Sequence, residues 1–86
     1  MLKSEVETML AERPFLPLAI HLVDGTVVDV PFAHVAIPFA RTLLVLLGVK
    51  SETSRSAAGK VEFGYERIDF IARRRAQRGQ RRKKAS

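Results

Sequence analysis

The sequence contains no cysteine and no tryptophan, and it has a single tyrosine, Tyr65. Without cysteine there are no disulfides, no thiolate–zinc sites and no thiol nucleophile. Long apolar runs are also missing. The longest uncharged stretch, Val30 to Ala40, is broken by two prolines and His34, and Thr42 to Val49 is shorter still. Neither approaches the roughly 20 apolar residues of a membrane-spanning helix. Glu5 and Glu7 stand where a signal peptide would be apolar, so a cytoplasmic, non-membrane protein is expected. No G-x-x-x-x-G-K pattern surrounds Gly25 or Gly48, so no phosphate-cradling loop is predicted.

Basic charge is crowded, without any acid, into one end of the chain. Residues 73–86 carry Arg73, Arg74, Arg75, Arg78, Arg81, Arg82, Lys83 and Lys84 and no acid. These are eight of the fifteen basic residues. The other seven face nine acids in residues 1–72, which leaves that part at about −2 although the whole chain is +6. The chain therefore divides into a folded domain, 1–72, and a basic tail, 73–86. Nothing apolar larger than alanine follows Arg73, so the tail cannot bury a core and is expected to be disordered.

Within the domain the pattern is helix first, then strands. Ser4 to Glu12 reads as a helix, with Ser4 and Glu7 spaced as a capping box and Leu2, Val6, Met9 and Leu10 on one stripe. Pro14 ends it. Leu18 to Val23 and Val27 to Val30 flank Asp24-Gly25 as a hairpin. A pairing that keeps Leu18, Ile20, Leu22, Val28 and Val30 on one face sets Leu22 opposite Val28, with a three-residue loop or bulge at Asp24-Gly25-Thr26. Residues 31–41 hold two prolines, and Val35 to Ile37 is at most a short edge piece. Thr42 to Val49 is continuously apolar, as in a strand covered on both faces. Residues 51–59 form a polar loop. Val61, Phe63 and Tyr65 alternate with polar residues, and Arg67 to Ile71 follows after a tight junction near Glu66. The expected fold is mostly β: an N-terminal helix followed by a small five-stranded barrel.

Candidate chemistry is sparse. His21 and His34, even with Asp24 or Asp29, lack the spacing of a metal site and read as ordinary histidines. Glu62, Glu66 and Asp69 have no nucleophile beside them and read as outward strand acids, so no enzyme, cofactor or small-molecule substrate is expected. Phe63 and Tyr65 could stack on bases, although alternation favours the core. Tyr65, near the turn, is the better surface candidate. The eight tail cations attract phosphate whatever its sequence, so nucleic acid, RNA in preference, is the expected partner. Together with Tyr65 they form the predicted binding set. The competing expectation is a protein-interaction or structural module.

The stretches IHLVDGTVVDV (20–30), TLLVLLG (42–48) and FGYERIDFIARRR (63–75) resemble the Sm-like fold, and within it the bacterial Hfq branch of RNA chaperones; SH3-like barrels share most of this order. The resemblance implies a barrel, RNA binding and a homo-oligomeric ring joined by the last two strands, with Val61 to Tyr65 or Ile68 to Ile71 at the contact. Tyr65 and Glu66 stand where that family has a lysine–histidine pair, so no pore residue carries over. RPFLPLAIHLVDGTVVDVP (13–31) is also similar to a group of small uncharacterised bacterial proteins with an RPF-x-P opening, which implies a shared fold and no activity.

Overall fold

The computed structural model describes residues 1–54 and 56–74. Arg75 and the rest of the basic tail, and the expected disorder of that tail, lie outside the described residues.

Helix α1 spans Lys3–Ala11 and begins one residue before the predicted start. The capping acid is Glu5, whose carboxylate accepts the Leu2 N–H at 2.8 Å. The Ser4–Glu7 capping box does not form. Glu7 instead pairs with Lys3 one turn back, at 3.3 Å. At the other end the Arg13 guanidinium donates to the Leu10 and Glu12 carbonyls, two of the groups a helix end leaves free. Of the predicted stripe Val6 is fully buried, Met9 and Leu10 pack at the margin of the core, and Leu2 is exposed.

Among the described residues six strands follow, arranged as two antiparallel three-stranded sheets. The first sheet has the order β2–β1–β6, with β1 at Leu18–Leu22, β2 at Val27–Val30 and β6 at Ile68–Arg73. The second has the order β3–β4–β5, with β3 at Ala36–Pro38, β4 at Thr42–Leu47 and β5 at Gly59–Gly64. Short 3-10 turns precede β3 (Ala33–Val35) and β6 (Tyr65–Arg67). The second is the tight junction expected near Glu66. A mostly-β domain behind a helix is as expected, but a five-stranded closed barrel is not what forms. Pro31 has no N–H to continue a ladder, and the turn at Ala33–Val35 separates β2 from β3. The β4–β5 hairpin stops at the Leu47–Gly59 pair, so among the described residues β2 keeps one unpaired edge.

The hairpin register also differs from expectation. Ile20 faces Val28 and Leu18 faces Val30, while the Leu22 N–H donates to the Thr26 carbonyl at 2.8 Å. Leu22 is thus opposite Thr26, not Val28. The loop has three residues, Val23 to Gly25, closed by a Gly25 N–H bond to the Leu22 carbonyl, with Gly25 at φ +94°. The predicted and observed registers differ by two residues. A shift of two keeps every side chain on its own face, so the apolar pattern could not choose between them.

β4 is likewise not covered on both faces. Leu43 and Val45 are 0% exposed, but Leu44 and Leu46 on the reverse face are only half-buried. The strand ends before Val49 because Gly48 turns the chain at φ +77°, where a Cβ would lie 2.8 Å from the Ala58 Cβ. The core lies between the sheets. Leu18, Ile20, Val28, Val30 and Ile68 come from the first, and Leu43, Val45 and Phe63 from the second. Val6 closes it from the helix side. No helix among the described residues is long and apolar enough to cross a membrane.

Candidate nucleic-acid interface

Strand β6 holds the key irregularity. His21 pairs with Phe70 but Leu22 pairs with Ile68, so Asp69 is an extra residue opposite β1. Such a bulge breaks the two-residue alternation. Ile68 and Ile71, three apart, both reach the core side, and Phe70 is turned outward and left 47% exposed. There its ring stacks on His21, with centroids 4.2 Å apart and planes 11° from parallel.

The outer face of the β2–β1–β6 sheet can be read row by row from the register. Val27, His21 and Phe70 form one row; Asp29, Ala19 and Ala72 form the next. Arg74 follows two residues beyond Ala72, its N–H donating to the Pro17 carbonyl. Its guanidinium reaches Asp29 at 2.6 Å. Strands lie about 4.8 Å apart, so this pair must span β1. Ala19, which faces Asp29 in the register, is small and only 4% exposed.

The cations of this sheet are largely matched. Arg73 makes a two-pronged contact with Glu12, at 2.6 and 2.7 Å. Arg67 pairs with Asp24 at 3.3 Å. Asp24 also accepts the Thr26 N–H at 3.0 Å, and that hydrogen bond, with a second from the Thr26 hydroxyl and the nearby Arg67 charge, holds its carboxyl below the usual carboxylate range.

Of the predicted binding set, Tyr65 is placed against expectation. It is 7% exposed, its ring joins the core, and its hydroxyl donates to the Phe39 carbonyl at 2.6 Å. Burial pushes its pKa up. No ring face is left to stack on a base. Arg73 and Arg74 belong to the sheet and its ion pairs, while Arg75, Arg78, Arg81, Arg82, Lys83 and Lys84 lie outside the described residues. Two aromatic rings are exposed among the described residues, Phe39 and Phe70, each at 47%; Phe70 is the one on this sheet, and sequence reasoning placed it in a strand without singling it out. Its only signal was a second apolar residue, Ile71, directly beside it.

The His34 Nε2–H donates to the Ser54 carbonyl at 2.8 Å, and Glu62 accepts the Thr42 hydroxyl at 2.5 Å. No group of three or more metal-ligating side chains comes together among the described residues. No protein-family model, curated protein or solved structure matches this chain.

Proposed function

We propose that the protein is a non-enzymatic nucleic-acid-binding module of Sm-like or SH3-like kind, acting on single-stranded nucleic acid, RNA in preference. The basic residues after Arg74 supply the attraction to phosphate, and the Phe70–His21 stack supplies a platform for a base. The observation that carries this reading is the shared location of the two. The strand that presents Phe70 on the outer face is the strand from which the basic segment continues. An exposed aromatic on a sheet face is the usual stacking surface for unpaired bases.

Internal pairing of Arg73 and Arg74 leaves six cations in the segment that follows. If all six meet phosphates on a single strand, log affinity falls against log salt with a slope of about −4, at roughly 0.7 per contact. Removing residues 75–86 is expected to abolish most of the affinity and its salt dependence. Phe70→Ala is expected to weaken binding by about 1–3 kcal/mol and leave the slope unchanged. Fluorescence titrations of a labelled single-stranded oligonucleotide at two salt concentrations separate the two contributions. Equal affinity for the full chain and the shortened one ends the proposal.

Self-association belongs to the same reading. Among the described residues β5 and β6 each have one edge with no strand beside it, and such edges invite pairing with another copy. Val61 to Tyr65 or Ile68 to Ile71 would form the contact. Light scattering is expected to give a mass above that of one chain; a monomer at high micromolar concentration removes the assembly part.

A further inference from the structure

Arg73 and Arg74 open the basic run, and acids of the domain meet both of them. Consecutive side chains of an extended chain point to opposite faces, so the two arginines leave the sheet in opposite directions. Arg73 finds Glu12 at the end of the helix, and Arg74 finds Asp29 on β2. The two pairs differ in grip. Arg73 holds Glu12 by three contacts of 2.6 to 3.0 Å that engage both carboxylate oxygens. Arg74 reaches Asp29 through one nitrogen and one oxygen, and the Asp29 side chain is 65% exposed. The rest of the Arg74 guanidinium keeps its N–H donors for another acceptor. Its position is fixed nonetheless, because its backbone N–H donates to the Pro17 carbonyl. Asp29 stands in the row beside that of the Phe70–His21 stack, about 7 Å away along the strands.

We propose that Asp29 is an internal competitor for phosphate, an autoinhibitory contact that holds Arg74 out of nucleic-acid binding. The inference rests on the nucleic-acid reading and adds a regulatory contact to the same sheet face. Carboxylate and phosphate are alternative acceptors for one guanidinium. An exposed pair with a single contact is weak by itself and would yield to a phosphate. Asp29 prevents this through its second effect. Once Arg74 leaves it, its charge is unmatched and lies beside the arriving phosphate, where it repels. The exchange therefore gains one attraction and creates one repulsion, and Arg74 stays with Asp29. The Glu12 pair is the firmer of the two and serves as the anchor that keeps this end of β6 in place. Removing the Asp29 charge leaves Arg74 on the same face, held by its backbone, and free to take a phosphate.

The test titrates a fluorescein-labelled single-stranded oligoribonucleotide with the full chain and its variants at several salt concentrations. Asp29→Asn is expected to bind up to about fivefold more tightly at low salt, the worth of one exposed ion pair. Its log affinity is expected to fall against log salt with a slope steeper by about 0.7, the mark of one added phosphate contact. Glu62→Gln makes the same change of net charge on the other sheet, where no ion pair holds that carboxylate, and is expected to leave the slope unchanged. Arg74→Ala separates a released cation from a lost charge: in that background Asp29→Asn is expected to leave the slope where it was. Asp29 and Arg74 are both exposed, and circular dichroism checks that each variant folds. A slope for Asp29→Asn no steeper than that of the full chain, or the same steepening without Arg74, overturns the inference and leaves the nucleic-acid reading standing. No binding of the oligonucleotide by the full chain overturns both.

Discussion

The two sheets share one core and differ in how their outer faces are made. In β3–β4–β5 the outer face comes from parts nearer in sequence: Ile37 beside Leu44 across a short loop, and Leu44 beside Glu62 across the polar loop that follows β4. In β2–β1–β6 it comes from opposite ends of the domain. His21 meets Phe70, Asp29 meets Arg74 and Asp24 meets Arg67, each pair more than forty residues apart. The sheet assembled from distant parts carries the exposed aromatic stack and three of the four ion pairs among the described residues. Specific surface chemistry arises where the chain returns to itself, because only there do residues of unrelated sequence context become neighbours.

If the sheets are halves of one cooperative unit, damage to either is felt by both. Ile20→Ala in the first sheet and Leu43→Ala in the second each remove a fully buried side chain from the common core. Each is expected to cost about 3 kcal/mol. Urea unfolding followed by circular dichroism and by hydrogen exchange should keep one transition in both variants. Two transitions would show that the sheets unfold separately.

A smaller effect sharpens the comparison at the junction between β5 and β6. Tyr65→Phe loses the hydrogen bond to Phe39 and is expected to cost about 1 kcal/mol near neutral pH. The folded state holds the Tyr65 proton more tightly than the unfolded chain does, so its pKa is raised above the ordinary value of 10.0. The stability linked to that proton is fully present below pH 10.0 and is lost as pH rises through the folded-state value. The variant lacks this dependence, so the two stability curves should converge in alkali. Tyr65 is the only tyrosine and there is no tryptophan, so tyrosinate absorbance reports this one group. Ionisation of the folded chain at the ordinary pKa would contradict its burial.

Much of the architecture was legible because it depends on local pattern. Pro14 ends the helix, Asp24-Gly25 turns the hairpin, and Val61, Phe63 and Tyr65 point the same way, as alternation requires. The candidate site was not legible, and Phe70 shows why. Strict alternation from Ile68 would have sent Phe70 inward and Ile71 outward, and the bulge at Asp69 reverses this. Nothing near Asp69 announces a bulge, because its cause is the fit of β6 against β1, nearly fifty residues earlier. Tyr65 was kept in the predicted binding set although alternation favoured the core, which is where it lies. Its position beside a turn suggested exposure, but the turn folds over the core.

The sequence by itself determined the order of helix then strands, the apolar faces of β1, β2 and β5, the segregation of charge between residues 1–72 and 73–86, and the chemistries excluded by the lack of cysteine. These follow from side-chain periodicity and composition, which need no knowledge of neighbours. Tertiary structure alone decided the hairpin register, the separation into two sheets with a free β2 edge, and the pairing of Arg73 and Arg74 with Glu12 and Asp29. A register shift of two conserves every face, an unpaired edge depends on how far a distant hairpin extends, and an ion pair exists only once two strands have been brought side by side.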